Sequence, residues 1–268
     1  MSIRQGLRVG AKRRAMERME ARFRGNGFLP HRHDTYALGL TMHGVQTFRY
    51  RGSPRFSQPG NVIVLHPDEV HDGAAGTDIG LIYRMIYLPP TLVAEAFDHR
   101  TALPFVADPV VSDPALRHAL SDLLVDLDEQ PDDLLIDDAL ARIAAALGRQ
   151  AGVVRGKVQP VARLAVLAAR DYLDGQVPAN VSSEDLERVT QLDRYELARH
   201  FRRLLGTSPH RYLVMRRLDH GKEMLVSGSS LAEAALGSGF SDQAHFSRHF
   251  RNAFGLPPGR WLNLQRNV

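Results

Sequence analysis

The chain has 268 residues, enough for two domains with separate cores, and its 44% hydrophobic and 24% charged composition is typical of globular proteins. It contains no cysteine, which excludes disulfides, thiolate metal sites and cysteine nucleophiles. The sequence shows neither an apolar run of bilayer length nor a signal peptide, which predicts a cytoplasmic protein without membrane contact. Residues 1–154 hold 17 Lys+Arg against 19 Asp+Glu, whereas residues 155–268 hold 17 against 11. A basic second half favours a nucleic-acid-binding module there.

Residues 1–27 form a basic leader. We predict that it is a partly ordered tail or a short solvated helix, with an arm that contacts phosphates or the partner domain as the alternative. Residues 28–112 then alternate short apolar runs with Gly, Pro and Asp, which predicts a β-sandwich or small β-barrel. The apolar runs are Leu38–Thr41, Thr47–Tyr50, Val62–Leu65 and Gly80–Leu88.

Residues 113–150 carry leucines at steps of three and four, which predicts two amphipathic helices. These helices either cover the β-domain or pair with a second copy of the chain. Residues 151–160 show neither period and are predicted to be a linker. Residues 161–268 are predicted to be helical to the end. The predicted fold is therefore α+β, with a β-domain, flanking helices and an all-α C-terminal domain.

An internal duplication lies in the helical domain. The segment Leu197–Leu213 aligns without gaps to Phe246–Leu262. Matched identical pairs are Arg199/Arg248, His200/His249, Phe201/Phe250, Arg202/Arg251, Gly206/Gly255, Pro209/Pro258, Arg211/Arg260 and Leu213/Leu262, and Asp193 pairs with Asp242. Each copy predicts a short helix, a tight turn and a longer helix with exposed arginine. That is the pattern of a helix-turn-helix unit.

The second copy and its surroundings resemble the AraC/XylS family of transcription regulators over roughly residues 160–265. The residues that carry the resemblance are Ala235, Gly239, Phe240, Ser241, Asp242, Phe246, Ser247, Phe250, Phe254, Gly255 and Pro258. The resemblance implies seven helices, of which the fourth bridges two subdomains. It also implies that two recognition helices enter successive major-groove segments of double-stranded DNA.

Candidate DNA contacts follow from the resemblance and from helix geometry. Arg199 and Arg248 lie two residues before a buried phenylalanine, so they project from a different face and can fork onto guanine. Arg202 and Arg251 are better placed for phosphates. Ala244 cannot hydrogen-bond a base, so its neighbours do more of the reading. The predicted set is Tyr195, Arg199, Arg202, Arg203, Ser241, Gln243, Ala244, His245, Arg248 and Arg251.

The β-domain resembles the cupins at two motifs over residues 28–90. The first runs from Pro30 through His31, His33 and Tyr36 to Gly44, and the second runs from Pro59-Gly60 through Pro67 to His71. The implied fold is a small barrel with an open mouth. Alternation along a strand would turn the first two histidines to the same side. We predict a small-molecule site at His31, His33, Tyr36, His71 and Arg84.

A cupin metal site normally adds a carboxylate after the His-x-His pair, and Ala37 stands at that position. Asp34 should point away from His33, which leaves Glu69 as a substitute. The missing carboxylate argues against a two-His-one-carboxylate iron site. We therefore predict no metal cofactor, with a divalent metal at His31, His33, His71 and Glu69 as the lesser alternative.

Two functions from different classes remain at this point. The first is a DNA-binding transcription regulator, not an enzyme, whose effector binds the β-domain. It would dimerise through residues 113–150 and contact RNA polymerase if it activates. The second is a cupin metalloenzyme, of oxygenase or isomerase type, that carries a DNA-binding domain. The missing carboxylate and the complete duplication favour the regulator.

Overall fold

The computed structural model describes residues 5–97, 103–151 and 160–266. The strands are β1 (Gly6–Val9), β2 (Glu17–Phe23), β3 (Asn26–His31), β4 (Tyr36–His43), β5 (Gln46–Tyr50), β6 (Ser53–Ser57), β7 (Val62–Leu65), β8 (His71–Ala75), β9 (Leu81–Leu88) and β10 (Val110–Val111). The helices are α1 (Pro90–Ala96), α2 (Pro114–Leu124), α3 (Asp133–Ala151), α4 (Pro160–Gln176), α5 (Ser183–Thr190), α6 (Arg194–Leu205), α7 (Pro209–Val226), α8 (Leu231–Gly237), α9 (Gln243–Phe254) and α10 (Pro258–Arg266).

The strands form two antiparallel sheets, of order β1-β2-β9-β4-β7-β10 and β3-β8-β5-β6. Successive side chains of a strand point to opposite faces. Ala37 and Met85 belong to the core between the sheets, whereas Leu38 and Ile86 belong to a core beneath the helices. Because both faces of the larger sheet are covered, β4 is buried at six consecutive positions instead of alternating. The N-terminal domain is thus a two-sheet structure and not a closed barrel.

The structure differs most from the sequence-based domain organisation in residues 1–27, the predicted basic leader. β1 and β2 are strands of the larger sheet, and β2 pairs with β9 from Glu17 to Phe23. Arg18 is buried and donates to the carbonyl oxygens at the end of α2 and beyond it. The segment therefore belongs to the β-domain and is neither a tail nor a solvated helix, and its Glu17 contacts the C-terminal domain, as the alternative of an arm expected.

Helices α2 and α3 cover the larger sheet. Asp113 caps α2 by accepting the backbone N–H groups of Ala115 and Leu116, at 2.9 and 3.0 Å. The apolar stripes of both helices pack onto the sheet, which is the first of the two arrangements expected from the sequence. Residues 152–159, most of the predicted linker, lie outside the described residues, whereas Ala151 ends α3 and Pro160 begins α4.

Seven helices, α4 to α10, make up the described part of the C-terminal domain, as the family resemblance implied. α5 with α6 and α8 with α9 form the two helix-turn-helix units, and α7 bridges them. The duplicated Asp193 and Asp242 cap the recognition helices α6 and α9. The duplicated Gly206 and Gly255 end them in the left-handed region, at φ 71° and 69°. None of the described helices is long and apolar enough to cross a membrane.

The two domains meet along the ends of the recognition helices. The backbone N–H of Leu29 donates to the carbonyl of Gly255 at 3.0 Å, and that of Arg32 donates to the carbonyl of Asn252 at 3.1 Å. Gly206 faces Pro67, and neither of the two terminal glycines leaves room for a Cβ against the N-terminal domain. Both recognition helices therefore end on the β-domain.

Candidate ligand cavity and nucleic-acid interface

A cavity of about 320 Å³ lies between the sheets and the C-terminal helices α7 and α10. The N-terminal part of its wall includes Glu17, Phe28, His31, His33, Asp34, Gln46, Phe48, Ile63, Leu65, His71, Tyr83, Met85 and Tyr87. The C-terminal part includes Met215, Arg216, Lys222, Phe254 and Trp261. Because both domains enclose it, a molecule in this cavity would contact both at once.

Three histidines cluster at the sheet end of the cavity. The ring centroids of His31 and His71 are 4.3 Å apart, and those of His33 and His71 are 4.9 Å apart. His31 ends β3 and His71 opens β8. His33 lies in the connection after β3, so the two motif histidines do not alternate along one strand as predicted. The structure nevertheless brings all three into the same wall.

Hydrogen bonds define the tautomer of each of these rings. Each Nδ1 lies within 2.9 Å of a backbone carbonyl oxygen two residues away. The acceptors are the carbonyls of Leu29, Thr35 and Glu69. Since a carbonyl oxygen only accepts, each Nδ1 carries the proton and each Nε2 is an acceptor. Burial lowers the pKa of all three histidines, to about 4 for His71, so the rings are neutral near neutral pH.

Two basic side chains of α7 form the opposite wall. Lys222 is 6% exposed, and its Nζ lies 2.8 Å from Glu17 Oε2 and 4.6 Å from the ring centroid of Phe254. Burial lowers the pKa of Lys222, but the negative charges of Glu17 and Asp219 and the hydrogen bond to Glu17 together outweigh it, and the net shift is upward. Arg216 donates to Asp34 Oδ2 at 2.9 Å. Both cations therefore hold an acidic partner from the other domain.

Two residues predicted for the ligand site lie elsewhere. The hydroxyl of Tyr36 donates to the carbonyl of Pro104 at 2.7 Å, on the helix side of the larger sheet. Arg84 donates to Glu20 at 2.7 Å and to carbonyls at the end of α2. Neither is part of the cavity wall. Both residues project from the face of the larger sheet that α2 and α3 cover. The sequence does not show which face these helices cover, so it could not exclude the two residues from the cavity.

Sequence reasoning missed Glu17, Arg216 and Lys222 in the cavity wall. Glu17 was assigned to the leader, and the two basic residues lie on a helix where arginine and lysine are ordinarily solvated. No local pattern marks them as buried, because their surroundings come from the other domain.

The predicted metal set is not assembled. The Glu69 carboxylate lies 3.6 Å from Arg51 and is not in the cavity wall. Among the described residues, no group of three or more His, Asp or Glu side chains has an arrangement that could hold a metal ion. The histidine cluster lacks the carboxylate of the cupin iron site and does not fit it.

The recognition helices expose most of the predicted DNA contacts. Tyr195 is 73% exposed. Exposed with it are Arg199, Arg202 and Arg203 on α6, Ser241 before α9, and Gln243, Ala244, Arg248 and Arg251 on α9. Phe201 and Phe250 are fully buried beneath them. Each unit thus presents one charged face, as a major-groove reader must.

Four of the predicted contacts have protein neighbours. His245 is half-buried, with its Nδ1 3.0 Å from Ser241 Oγ and its ring against Phe240. Arg202 and Arg203 border a second cleft with Pro67 and Phe105 of the N-terminal domain.

A pair of helix-turn-helix units that shares a cavity with a β-domain defines a DNA-binding regulator with its own ligand-binding domain. Two known protein families match this chain, one in each domain. The family described as "AraC-like ligand binding domain" matches residues 15–144, and the family described as "Helix-turn-helix domain" matches residues 186–264. The chain belongs to the AraC family of transcription regulators.

Individual relatives are distant. The uncharacterised HTH-type transcriptional regulator YbfI of Bacillus subtilis is 26% identical over 230 residues, which is 84% of each chain. The probable transcriptional regulator LumQ of Photobacterium leiognathi is 27% identical over 135 residues, 50% of this chain and 54% of its own.

Solved structures match the fold over the whole chain. ToxT from Vibrio cholerae O395 superposes with a TM-score of 0.69 at 11% identity, covering 96% of this chain and 100% of ToxT. ToxT from strain SCE256, solved with a bound unsaturated fatty acid, superposes with a TM-score of 0.67 at 10% identity, covering 100% and 99%. These likenesses show that both domains share the ToxT fold.

Proposed function

We propose that this regulator binds a small effector in the cavity between its domains, and that occupancy changes how firmly the N-terminal domain holds the recognition helices. One observation carries the proposal. His31 lines the cavity, and two residues away the N–H of Leu29 bonds the terminal carbonyl of α9 at Gly255. A ligand that displaces β3 would therefore act directly on a recognition helix.

Three ion pairs, which we call the interdomain latch, support this coupling. They join Asp34 to Arg216, Glu17 to Lys222 and Asp68 to Arg211. All three basic residues lie on α7, the helix that bridges the two helix-turn-helix units. Two of the three pairs are also in the cavity wall. An effector with different affinities for latched and released domains would shift the population of DNA-binding-competent protein.

In this proposal the base readers are Arg199 and Arg248, with Tyr195 and Gln243 beside them. Arg202, Arg203 and Arg251 contact phosphates. Ser241, Ala244 and His245 shape the start of the second reading surface. Because Ala244 offers no hydrogen bond and His245 is half-buried, the second unit depends more on Arg248 than the first depends on Arg199.

An engineered disulfide tests the coupling. Because the chain has no native cysteine, only the two introduced cysteines can form a disulfide within it. Arg32→Cys with Asn252→Cys would join backbones that already share a hydrogen bond. DNA is first selected in vitro from random sequence with the full wild-type chain. We expect the oxidised double variant to bind this DNA at least about fivefold more weakly than the same protein after reduction, because DNA selects the released form. Equal affinities before and after reduction would contradict the proposal, and Arg32→Cys alone is the control.

We further propose that the regulator acts in the cytoplasm as a homodimer that uses the outward side of α3, and that it contacts RNA polymerase if it activates. Leu134 on that side is 82% exposed, whereas the buried stripe of the helix is occupied by the sheet. Leu134→Glu should shift the sedimentation coefficient toward that of a monomer. An unchanged oligomer would place the interface elsewhere.

In this proposal the protein regulates transcription and turns over no substrate, unlike the metalloenzyme alternative. The carboxylate that such chemistry needs is engaged by Arg51 outside the cavity. Metal analysis of the purified full chain separates the two. Stoichiometric iron or manganese with turnover would favour the enzyme.

A further inference from the structure

The polar atoms left without partners at the sheet end of the cavity are hydrogen-bond acceptors. His33 Nε2, Asp34 Oδ1 and Gln46 Oε1 are buried and have no protein partner. All three residues are in the cavity wall. Nε2 of His31 and Nε2 of His71 are acceptors as well, because Nδ1 of each ring donates to a backbone carbonyl. Buried polar groups are almost always paired, so this array calls for donors, which a ligand or ordered water can bring.

The same wall offers little to an anion. Each of its five basic residues already has an acidic partner, although Nε of Arg216 is a buried donor without a hydrogen bond. These pairs are Lys12–Glu223, Arg14–Asp137, Arg170–Asp171, Arg216–Asp34 and Lys222–Glu17. A carboxylate placed among the histidines would set lone pairs against lone pairs, at the end where burial keeps the rings neutral.

Much of the remaining lining is apolar and partly aromatic, and includes Phe28, Phe48, Ile63, Leu65 and Met85. The cavity volume of about 320 Å³ is roughly twice that of an engineered protein cavity known to bind benzene, about 150 Å³. A substituted aromatic ring or a compact alkyl chain of similar bulk fits this space.

We propose that the effector is an uncharged molecule with an apolar body and a hydroxyl end, and that the hydroxyl donates to Nε2 of His33 within the histidine cluster. This inference rests on the proposed function and names the ligand class of the same cavity. The histidines thus act as hydrogen-bond acceptors for an organic ligand, in place of the metal that the cupin resemblance suggests.

Matched probes test the donor requirement on the full wild-type chain. They are 4-propylphenol, its methyl ether 4-propylanisole, which has lost the O–H, and 4-propylbenzoate. Trp261 is the single tryptophan and lies in the cavity wall, so its fluorescence reports occupancy. We expect the phenol to bind at least about tenfold more tightly than either analogue, because only the phenol satisfies the buried acceptor.

Two variants assign this preference to His33. His33→Phe keeps an aromatic ring and removes the acceptor, so the preference for the phenol over the ether should fall below about threefold. Ile63→Val, in the same wall, should weaken both probes about equally and keep the preference. Thermal unfolding by circular dichroism checks that both variants fold, and the wild-type comparison stands without them.

Several results would overturn the inference. These are tightest binding by the benzoate, no binding by any probe at millimolar concentration, or an unchanged preference in folded His33→Phe. A stoichiometric metal that wild type retains and His33→Phe loses would also overturn it. Failure of the proposed function looks different: the phenol would bind with the expected preference, yet DNA affinity would be the same with and without it.

Discussion

The Asp34–Arg216 pair is the most direct handle on the interdomain latch. Asp34 is 3% exposed, and its Oδ2 lies 2.9 Å from the guanidinium of Arg216. Burial raises the pKa of Asp34 although Arg216 opposes the shift. The intact ion pair therefore stabilises the contact between the domains less than its short distance suggests, because the cost of desolvating both charges offsets their attraction. Removing one partner is a different matter, since it leaves the other charge without its counter-ion.

The expected size follows from what Arg216 would retain in Asp34→Asn. Truncating one partner of a buried pair typically costs about 3–5 kcal/mol. Arg216 keeps Asp219 at 3.3 Å and the ring of Tyr212 at 4.9 Å. We therefore expect a smaller loss, about 1–3 kcal/mol, and it falls on the contact between the domains. If latched protein predominates, DNA affinity should rise about 5- to 150-fold, limited by full release.

Fluorescence anisotropy with the selected DNA measures this change at fixed salt concentration. Asp171→Asn is the control, because Asp171 is 64% exposed in its pair with Arg170 and a surface pair contributes little. Unchanged or weaker DNA binding by folded Asp34→Asn, with wild-type affinity in the control, would refute the latch as a restraint on DNA binding.

Three further predictions concern single residues. Arg248→Ala should weaken binding to the selected DNA by about 1–3 kcal/mol and relax sequence specificity at one base position. Arg251→Ala should weaken binding to all sequences alike and reduce the slope of log affinity against log salt concentration by about one. Equal effects of the two variants in competition binding would contradict these roles. Gly255→Ala should destabilise the protein more than Gly52→Ala. Both glycines have positive φ, but only Gly255 is crowded by the N-terminal domain. Equal thermal unfolding midpoints for the two variants would show that this interdomain contact does not contribute to stability. Burial holds the folded-state pKa of His71 at about 4, so the unfolded chain protonates first as pH falls. The free energy of unfolding should have its full value above about pH 6.5 and should fall by about 3 kcal/mol near pH 4. Urea midpoints that do not change across this range, or a pH dependence unaltered in His71→Phe, would contradict it.

The helical domain could be predicted closely from sequence because its signals are local. Asp193 and Asp242 cap helices through hydrogen bonds that span two or three residues. Gly206 and Gly255 end the same helices through their own backbone conformation. The duplication then predicted two helix-turn-helix units, and the resemblance to the AraC/XylS family followed from the residues around them. The three motif histidines were expected together from the cupin resemblance, and the pairing of β3 with β8 places His31 opposite His71.

Only the tertiary structure decided the rest. β1 and β2 could not be told from a basic leader, because their pairing partner β9 is far along the chain and Arg18 is buried against carbonyls near α2. Tyr36 and Arg84 face the helices, a choice that depends on which sheet face α2 and α3 cover. Lys222 became a cavity residue only when Glu17 and the β-domain enclosed it. Capping and periodicity act over a few residues, whereas burial depends on what the rest of the chain places alongside.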